Sequence, residues 1–347
     1  MKLVDTRDAV GQVLCHDITQ IIKGVKKDAV FRKGHIVTPE DIPVLLSVGK
    51  EHLYIWEKNE SILHENEAAE ILYDMCKGDH MHGSEIKEGK IELIADMDGV
   101  LKIDRKRLLT INSAGEMMVA SRHGDFPVHK GDKLAGTRII PLVIAKDKME
   151  SVREAVKGAP VFQILPYRLQ TVGVVTTGSE VFKGRIQDTF TPVIVEKCKE
   201  YGIEMTEHAV CSDNPQDITD QIEQMIAKGV DMVICTGGMS VDPDDKTPLA
   251  IRSSGAEIVS YGAPVLPGAM FLLSYKTTWD PKGEKKVVPV MGLPGCVMYA
   301  KRTIFDLVLP RIAAGERITK EELDGYGEGG LCMNCPVCTY PNCGFGK

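Results

Sequence analysis

Residues 172–180 read VGVVTTGSE, and residues 231–248 read DMVICTGGMSVDPDDKTP. In each stretch an apolar run rich in Val or Ile stops at a glycine, as a buried parallel strand does where it enters a loop. Between them lie GRIQDTF (184–190), the helical pattern TPVIVEKCKEYG, a strand around EMTEHAV, the tetrapeptide SDNP (212–215) and the helical pattern PQDITDQIEQMIAKG. Loops that follow parallel strands sit at the carboxyl edge of an open α/β sheet, where backbone N–H groups and helix N-termini can hold an anion. Carboxylates added to that edge point to a metal ion, or to a proton that must move.

Working outward, strands and helices go on alternating through TPLAIRSSG, KVVPVMGL and VMYAKRTIFDLVLPRI. That spacing suits right-handed βαβ units, and it predicts a three-layer α/β/α domain over residues 171–312. Upstream, residues 1–83 read as a mixed α/β region: a helix-like DTRDAVGQVLCHDI, a helix TPEDIPVLLSVGK with Thr38 as N-cap and Pro39 at its first position, the strand HLYIW, and one helix over ESILHENEAAEILYDMCKG. Residues 84–146 turn to short strands separated by glycines, a pattern expected of a small β-rich domain. A helical linker is expected over 147–170, and a Cys-rich tail over 313–347.

Composition excludes several classes of function. With 26% charged and 43% hydrophobic residues the chain is an ordinary globular one, and its net charge of −7 argues against a general nucleic-acid binder. No apolar run approaches the roughly 20 residues that span a bilayer, and the amino terminus MKLVDTRDAVGQ has no apolar signal core. A cytoplasmic location without a membrane partner is the expectation.

Candidate ligand-binding residues sit at the ends of the apolar runs. Thr177, Gly178 and Ser179 can offer backbone N–H groups to a phosphate or a pterin edge, and Glu180 beyond them could hold a cation. Asp188 precedes a helix, so capping and ligand binding are equally open to it; capping competes at Asp213 and Asn214 as well. Gly237 and Gly238 are followed by Ser240, Asp242, Asp244 and Asp245, carboxylates that repel one another unless a cation, a lysine such as Lys246 or a proton intervenes. Magnesium bridging a substrate phosphate to one of these carboxylates would meet that need. A further glycine turn at Gly295, in MGLPGC, repeats the design of the earlier ones.

Taken in order, TTGSE, GRIQD, SDNP, TGG…DDKTP and GLPG resemble the molybdopterin-binding domain shared by molybdopterin adenylyltransferases and molybdopterin molybdenumtransferases. The match covers about residues 171–312, and DAVGQVLCHDI with KGHIVTPEDIPVLLSVGKEHLYI is similar to the start of the molybdenumtransferases. The resemblance implies a three-layer domain that binds molybdopterin or adenylylated molybdopterin. It further implies a magnesium-dependent reaction with molybdate that releases AMP. It assigns the catalytic acids to Glu180, Asp213 and Asp245, with Glu180 and Asp245 on magnesium, and lines the ligand with Thr177, Gly178, Ser179, Asp188, Gly237, Gly238, Ser240 and Gly295. It also implies a homo-oligomer, and as a further partner a molybdenum or tungsten apo-enzyme that receives the cofactor.

The chain departs from that family at defined places. Met97–Asp98–Gly99 is followed by Val100 and Leu101 rather than Tyr-Ala; Leu266–Pro267–Gly268–Ala269–Met270 lacks both lysines of a Lys-Pro-Gly-Lys-Pro segment; Cys296 stands in place of Asn. About 35 residues follow the last helix instead of a β-domain, and they hold Cys332, Cys335, Cys338 and Cys343. By donor type four thiolates suit zinc or an iron–sulfur cluster equally, and a tail of redox-labile thiols is the plainer alternative. The pair His80 and His82 is more simply surface than metal ligand. Two functions follow: insertion of molybdenum into molybdopterin, or a non-catalytic carrier or sensor of molybdopterin or its finished cofactor.

Overall fold

The protein is seen in a computed structural model that describes residues 2–22, 26–55, 60–240, 245–279 and 283–347. It forms two compact units: residues 1–96, 103–122 and 130–163 make the first, and residues 97–102, 123–129 and 164–347 the second.

In the first unit a four-stranded antiparallel sheet takes the order 81–83, 90–95, 133–139, 117–121. Most of the glycine-rich stretch 84–146 falls in this unit with the mixed region, but residues 97–102 and 123–129 belong to the second unit. Two expected helices differ. DAVGQVLCHDI turns at Gly11, whose φ of +79° ends any helix, and Val13 and Leu14 bridge to Ile36 and Ile55. The next helix covers Asp41–Ser47 only: Asp41 Oδ2 accepts from the Thr38 amide at 2.8 Å and lies 2.6 Å from His35 Nε2, so Thr38 is held as a partner of Asp41 rather than as a cap. ESILHENEAAEILYDMCKG divides into a strand, Ile62–His64, and a helix, Glu65–Cys76. There His64 is the N-cap, its Nδ1 accepting from the Asn66 amide while Glu67 accepts from the His64 amide, which closes a capping box. Trp56, at the end of HLYIW, lies outside the described residues.

The second unit carries the α/β pattern. Its strands are β1 (Thr171–Thr177), β2 (Glu204–Cys211), β3 (Met232–Thr236), β4 (Glu257–Tyr261), β5 (Leu272–Trp279) and β6 (Lys285–Leu293), in the sheet order β2-β1-β3-β6-β5-β4. β2, β1, β3 and β6 are parallel neighbours, and β5 and β4 add on antiparallel. The helices used below are α1 (Phe190–Lys199), α2 (Pro215–Ala227), α3 (Thr247–Ser253) and α4 (Ile304–Ala313).

Strand alternation assigns the two faces of this sheet. Val172, Val174, Met232 and Ile234 pack with Phe190, Ile194 and Cys198 of α1 and with Ile304, Phe305 and Val308 of α4. Val175, Val233 and Cys235, one residue out of phase, pack with Ile218, Ile222 and Met225 of α2 and with Ala250 and Ile251 of α3. The result is the expected three-layer α/β/α arrangement, both sheet faces being covered as a parallel sheet requires. Helix signals explain α2 well: Asn214 Oδ1 accepts from the Gln216 amide at 2.9 Å, and Pro215 occupies the first turn. α4 is almost wholly buried, and its buried Asp306 receives Lys197 Nζ at 2.5 Å and Arg302 at 2.8 Å.

Candidate functional site

The carboxyl ends of β1 and β3 lie side by side, Thr176 opposite Thr236, so the two glycine turns leave the sheet together. They are tied to each other. Thr177 Oγ1 donates to Thr236 O at 2.9 Å, and Thr247 Oγ1 donates to Gly237 O at 2.8 Å. Gly237 has φ +82°, and a Cβ there would stand 2.4 Å from Thr177 O; at Gly238, φ +55°, a Cβ would stand 2.8 Å from Thr247 Oγ1. Only glycine allows the loops this close. Gly178 and Gly295 differ, because a Cβ on either meets nothing within 4 Å, and these turns face open space.

The acids behave unequally. Asp213 Oδ2 accepts from the Ser179 amide at 2.9 Å and from Ser179 Oγ at 2.7 Å, so the loop after β2 clasps the loop after β1. Asp245 Oδ2 accepts from the Ser240 amide at 2.9 Å. Glu180 is exposed on a one-turn helix, Ser179–Phe182. Asp188 caps α1: Oδ1 accepts from the amides of Phe190 and Thr191, while Oδ2 accepts from Thr191 Oγ1 at 2.5 Å and Thr176 Oγ1 at 3.1 Å. Burial pushes its pKa up, but these hydrogen bonds outweigh that and leave it below the usual carboxylate value. Asp242 and Asp244 lie outside the described residues.

His208 joins the Asp188 cluster. Its Nε2 lies 3.1 Å from Thr176 Oγ1 and 3.6 Å from Asp188 Oδ2. In sequence His208 reads as a plain strand residue of β2, and nothing in its neighbours reveals the pairing, which is made by the β1–β2 register. On β3, opposite Thr176, Thr236 Oγ1 is buried with no hydrogen-bond partner among the described residues.

Thus Thr177, Ser179, Asp213, Gly237 and Gly238 are joined in one group at the edge, and Ser240 with Asp245 continues from it. Gly295 begins the short turn Gly295–Met298 after β6, at the same end of the sheet. Among the described residues, no three His, Cys, Asp or Glu side chains are gathered closely enough to hold a metal ion as they stand. The arrangement brings the turns after β1, β3 and β6 to one edge, where backbone N–H groups can meet an anionic ligand. Elsewhere, His82 Nδ1 is 2.6 Å from Asp96 Oδ1, an exposed pair on the first unit.

A family model described as a probable molybdopterin binding domain matches residues 173–314, the stretch that carries this edge. These residues belong to the molybdopterin-binding domain family. A second model, for a domain of unknown function, matches residues 3–57. Curated relatives of the molybdopterin-binding domain include a CinA-like protein of Mycobacterium sp. (strain MCS), 38% identical over 156 residues, 40% of this chain and 37% of that one. A CinA-like protein of Mycobacterium tuberculosis (strain ATCC 25177 / H37Ra) is 39% identical over 159 residues, 40% of this chain and 36% of that one. The chain therefore spans less than two-fifths of the length of these relatives. Solved structures similar to the molybdopterin-binding domain include the tungsten cofactor synthesizing protein MoaB from Pyrococcus furiosus, 17% identical, TM-score 0.33, covering 42% of this chain and 92% of that one. Another is the molybdopterin biosynthesis enzyme MoaB from Thermus thermophilus, 18% identical, TM-score 0.33, covering 43% of this chain and 98% of that one. No described helix is long and apolar enough to cross a membrane.

Proposed function

We propose that the protein acts in molybdenum cofactor biosynthesis, binding molybdopterin or its adenylylated form at the carboxyl edge of the sheet and supporting entry of molybdate with release of AMP. The observation that carries this reading is the pair of glycine turns after β1 and β3, bonded through Thr177 and Thr236 and clasped by Asp213. Thr177, Gly178, Ser179, Gly237, Gly238, Ser240 and Gly295 line the ligand. The amides of the glycine turns are suited to phosphate oxygens, while those of Ser179 and Ser240 are already engaged by Asp213 and Asp245.

Asp188 and Asp213 serve this site by holding loops, since the bonds of both run to backbone and hydroxyl groups. Glu180, which is exposed, and Asp245, which engages the Ser240 amide through one oxygen, are the carboxylates that would hold magnesium, which takes one or two protein carboxylates and keeps waters. Bound there, magnesium would neutralise charge on the phosphoanhydride. A homo-oligomer and a molybdenum or tungsten apo-enzyme as recipient belong to the same proposal, as does a cytoplasmic setting. A second reading, a carrier or sensor that holds the pterin without inserting metal, is favoured by the absent lysines at 266–270.

The test is incubation of the full chain with adenylylated molybdopterin, magnesium and molybdate, following AMP and retained pterin. Release of AMP supports the transferase, and pterin bound without AMP release supports the carrier. If neither occurs while Glu180, Asp213 and Asp245 are intact, both readings fail.

A further inference from the structure

The tail after α4 returns to the sheet's carboxyl edge. β6 ends there at Leu293, and Leu272 pairs with Gly292, so the loop 262–271 that leads into the antiparallel β5 lies at that edge too. Leu266 in this loop bridges to Leu331. Its amide donates to Gly330 O at 2.8 Å, and its carbonyl accepts from the Cys332 amide at 2.8 Å. The tail thus docks on the stretch that has no lysine at 266–270.

Its far end is anchored as firmly. Tyr340 Oη donates to Asp306 O at 2.8 Å, the Arg302 guanidinium stacks 4.9 Å from the Tyr340 ring, and Phe345 is buried in the core. Between these anchors the chain has little packing of its own. Met333 is 78% and Val337 77% exposed, and the segment is tied down chiefly by Lys301 Nζ, which donates to the carbonyls of Pro336 at 2.8 Å and Cys335 at 3.2 Å. An apolar segment held open in this way needs something further to organise it.

Four thiols surround what would do so. Cys332, Cys335, Cys338 and Cys343 line one cavity of about 320 Å³ together with Lys301 and Arg302, and all four are free thiols. Cys332 and Cys343 are half-buried against the core, whereas Cys335 and Cys338 are exposed on the span between the anchors. Two sulfurs packed against the core and two exposed ones line the same cavity, although they do not meet at a point. The spacing, two residues, two residues and then four between successive cysteines, lets one chain reach round such a centre. A cluster of thiolates carries negative charge that Lys301, which lines the same cavity, is placed to offset, Arg302 being already paired with Asp306 and Glu200.

We propose that these four cysteines form a tetrathiolate metal centre, taking zinc or an iron–sulfur cluster, that locks the tail onto the carboxyl edge. The proposal is independent of pterin binding. Thiol protons leave as metal–sulfur bonds of about 2.3 Å form, so occupancy falls as pH is lowered.

To test it, the full chain is purified anaerobically with reductant, stripped with a chelator and titrated in one arm with Zn²⁺ or Co²⁺ alone and in another with iron and sulfide. The expected result is one centre per chain in one of the arms. Cobalt would give sulfur-to-metal charge-transfer and intense tetrahedral bands, and an iron–sulfur centre a brown chromophore. The pair Cys335→Ser and Cys338→Ser should abolish that signal with an unchanged far-UV spectrum, because both positions are exposed, while Met333→Ala should keep it. Absence of a stoichiometric centre in both arms, or full retention in the double variant, overturns the proposal.

Discussion

Asp213 and Ser179 lie 34 positions apart in sequence, yet one carboxylate oxygen of Asp213 accepts from both the amide and the hydroxyl of Ser179. The clasp fixes the turn that follows β1 relative to the turn that follows β2. Hydrogen bonds to a charged group contribute about 1.5–3 kcal/mol each when they hold a structure together. Asp213→Ala should therefore weaken equilibrium binding of molybdopterin by about tenfold to a hundredfold. Ser179→Ala, which keeps the amide bond, should cost less, and equal affinities in a fluorescence titration would show that the clasp does not shape the site.

Gly237→Ala tests the close approach of the loops. Its Cβ would fall 2.4 Å from Thr177 O on a backbone with φ +82°. The clash adds to an unfavourable left-handed conformation that costs about 1–2 kcal/mol by itself. Gly202→Ala, at φ +73° with nothing within 4 Å, isolates that conformational cost. Urea unfolding should show the first variant clearly less stable than the second.

Asp188 makes stability depend on pH in a predictable direction. Its folded pKa lies below the ordinary carboxylate value, because its hydrogen bonds to Thr191, Phe190 and Thr176 outweigh burial. The carboxylate's contribution is then complete above the unfolded pKa of about 3.9 and is lost as pH falls through the lower folded value. Thermal melts of Asp188→Asn and the parent should differ most near neutral pH and converge in acid. A gap that widens in acid would contradict this.

Asp306 stands between Lys197 and Arg302 with 2% of its surface exposed. Removing one partner of a buried charge pair typically costs about 3–5 kcal/mol, because the other charge stays behind. Asp306→Ala should reach that range in chemical denaturation. Lys197→Met together with Asp306→Leu should recover part of it.

Thiol reactivity should divide along the fold. Burial pushes the thiols of Cys76 and Cys198 up to about 12, while Cys335 and Cys338 are exposed. In metal-free reduced protein, iodoacetamide followed by peptide mass mapping should mark Cys335 and Cys338 first and leave Cys76 and Cys198 unmodified until the protein unfolds.

Much of the second unit is legible in the sequence alone. The Val- and Ile-rich runs at 172–177 and 232–236 have the composition of buried strands, and Asn214 with Pro215 announces α2 by local chemistry. The first unit is less legible where its elements depend on partners outside their own turns. Asp41 bonding back to Thr38 and His35 shortens one, and Gly11 in a left-handed turn removes another.

By itself, the sequence determined the three-layer plan, the positions of the glycine turns and the pool of acids and thiols near them, since periodicity and backbone restrictions act within a few residues. Tertiary structure decided what each acid does. Asp213 clasps Ser179, Asp188 caps α1 beside His208, and Asp245 accepts from the Ser240 amide. It also decided that the cysteine tail returns to Leu266 at the sheet's carboxyl edge. Those outcomes depend on strand order and register, which bring distant residues to one edge by packing and leave no mark in local spacing.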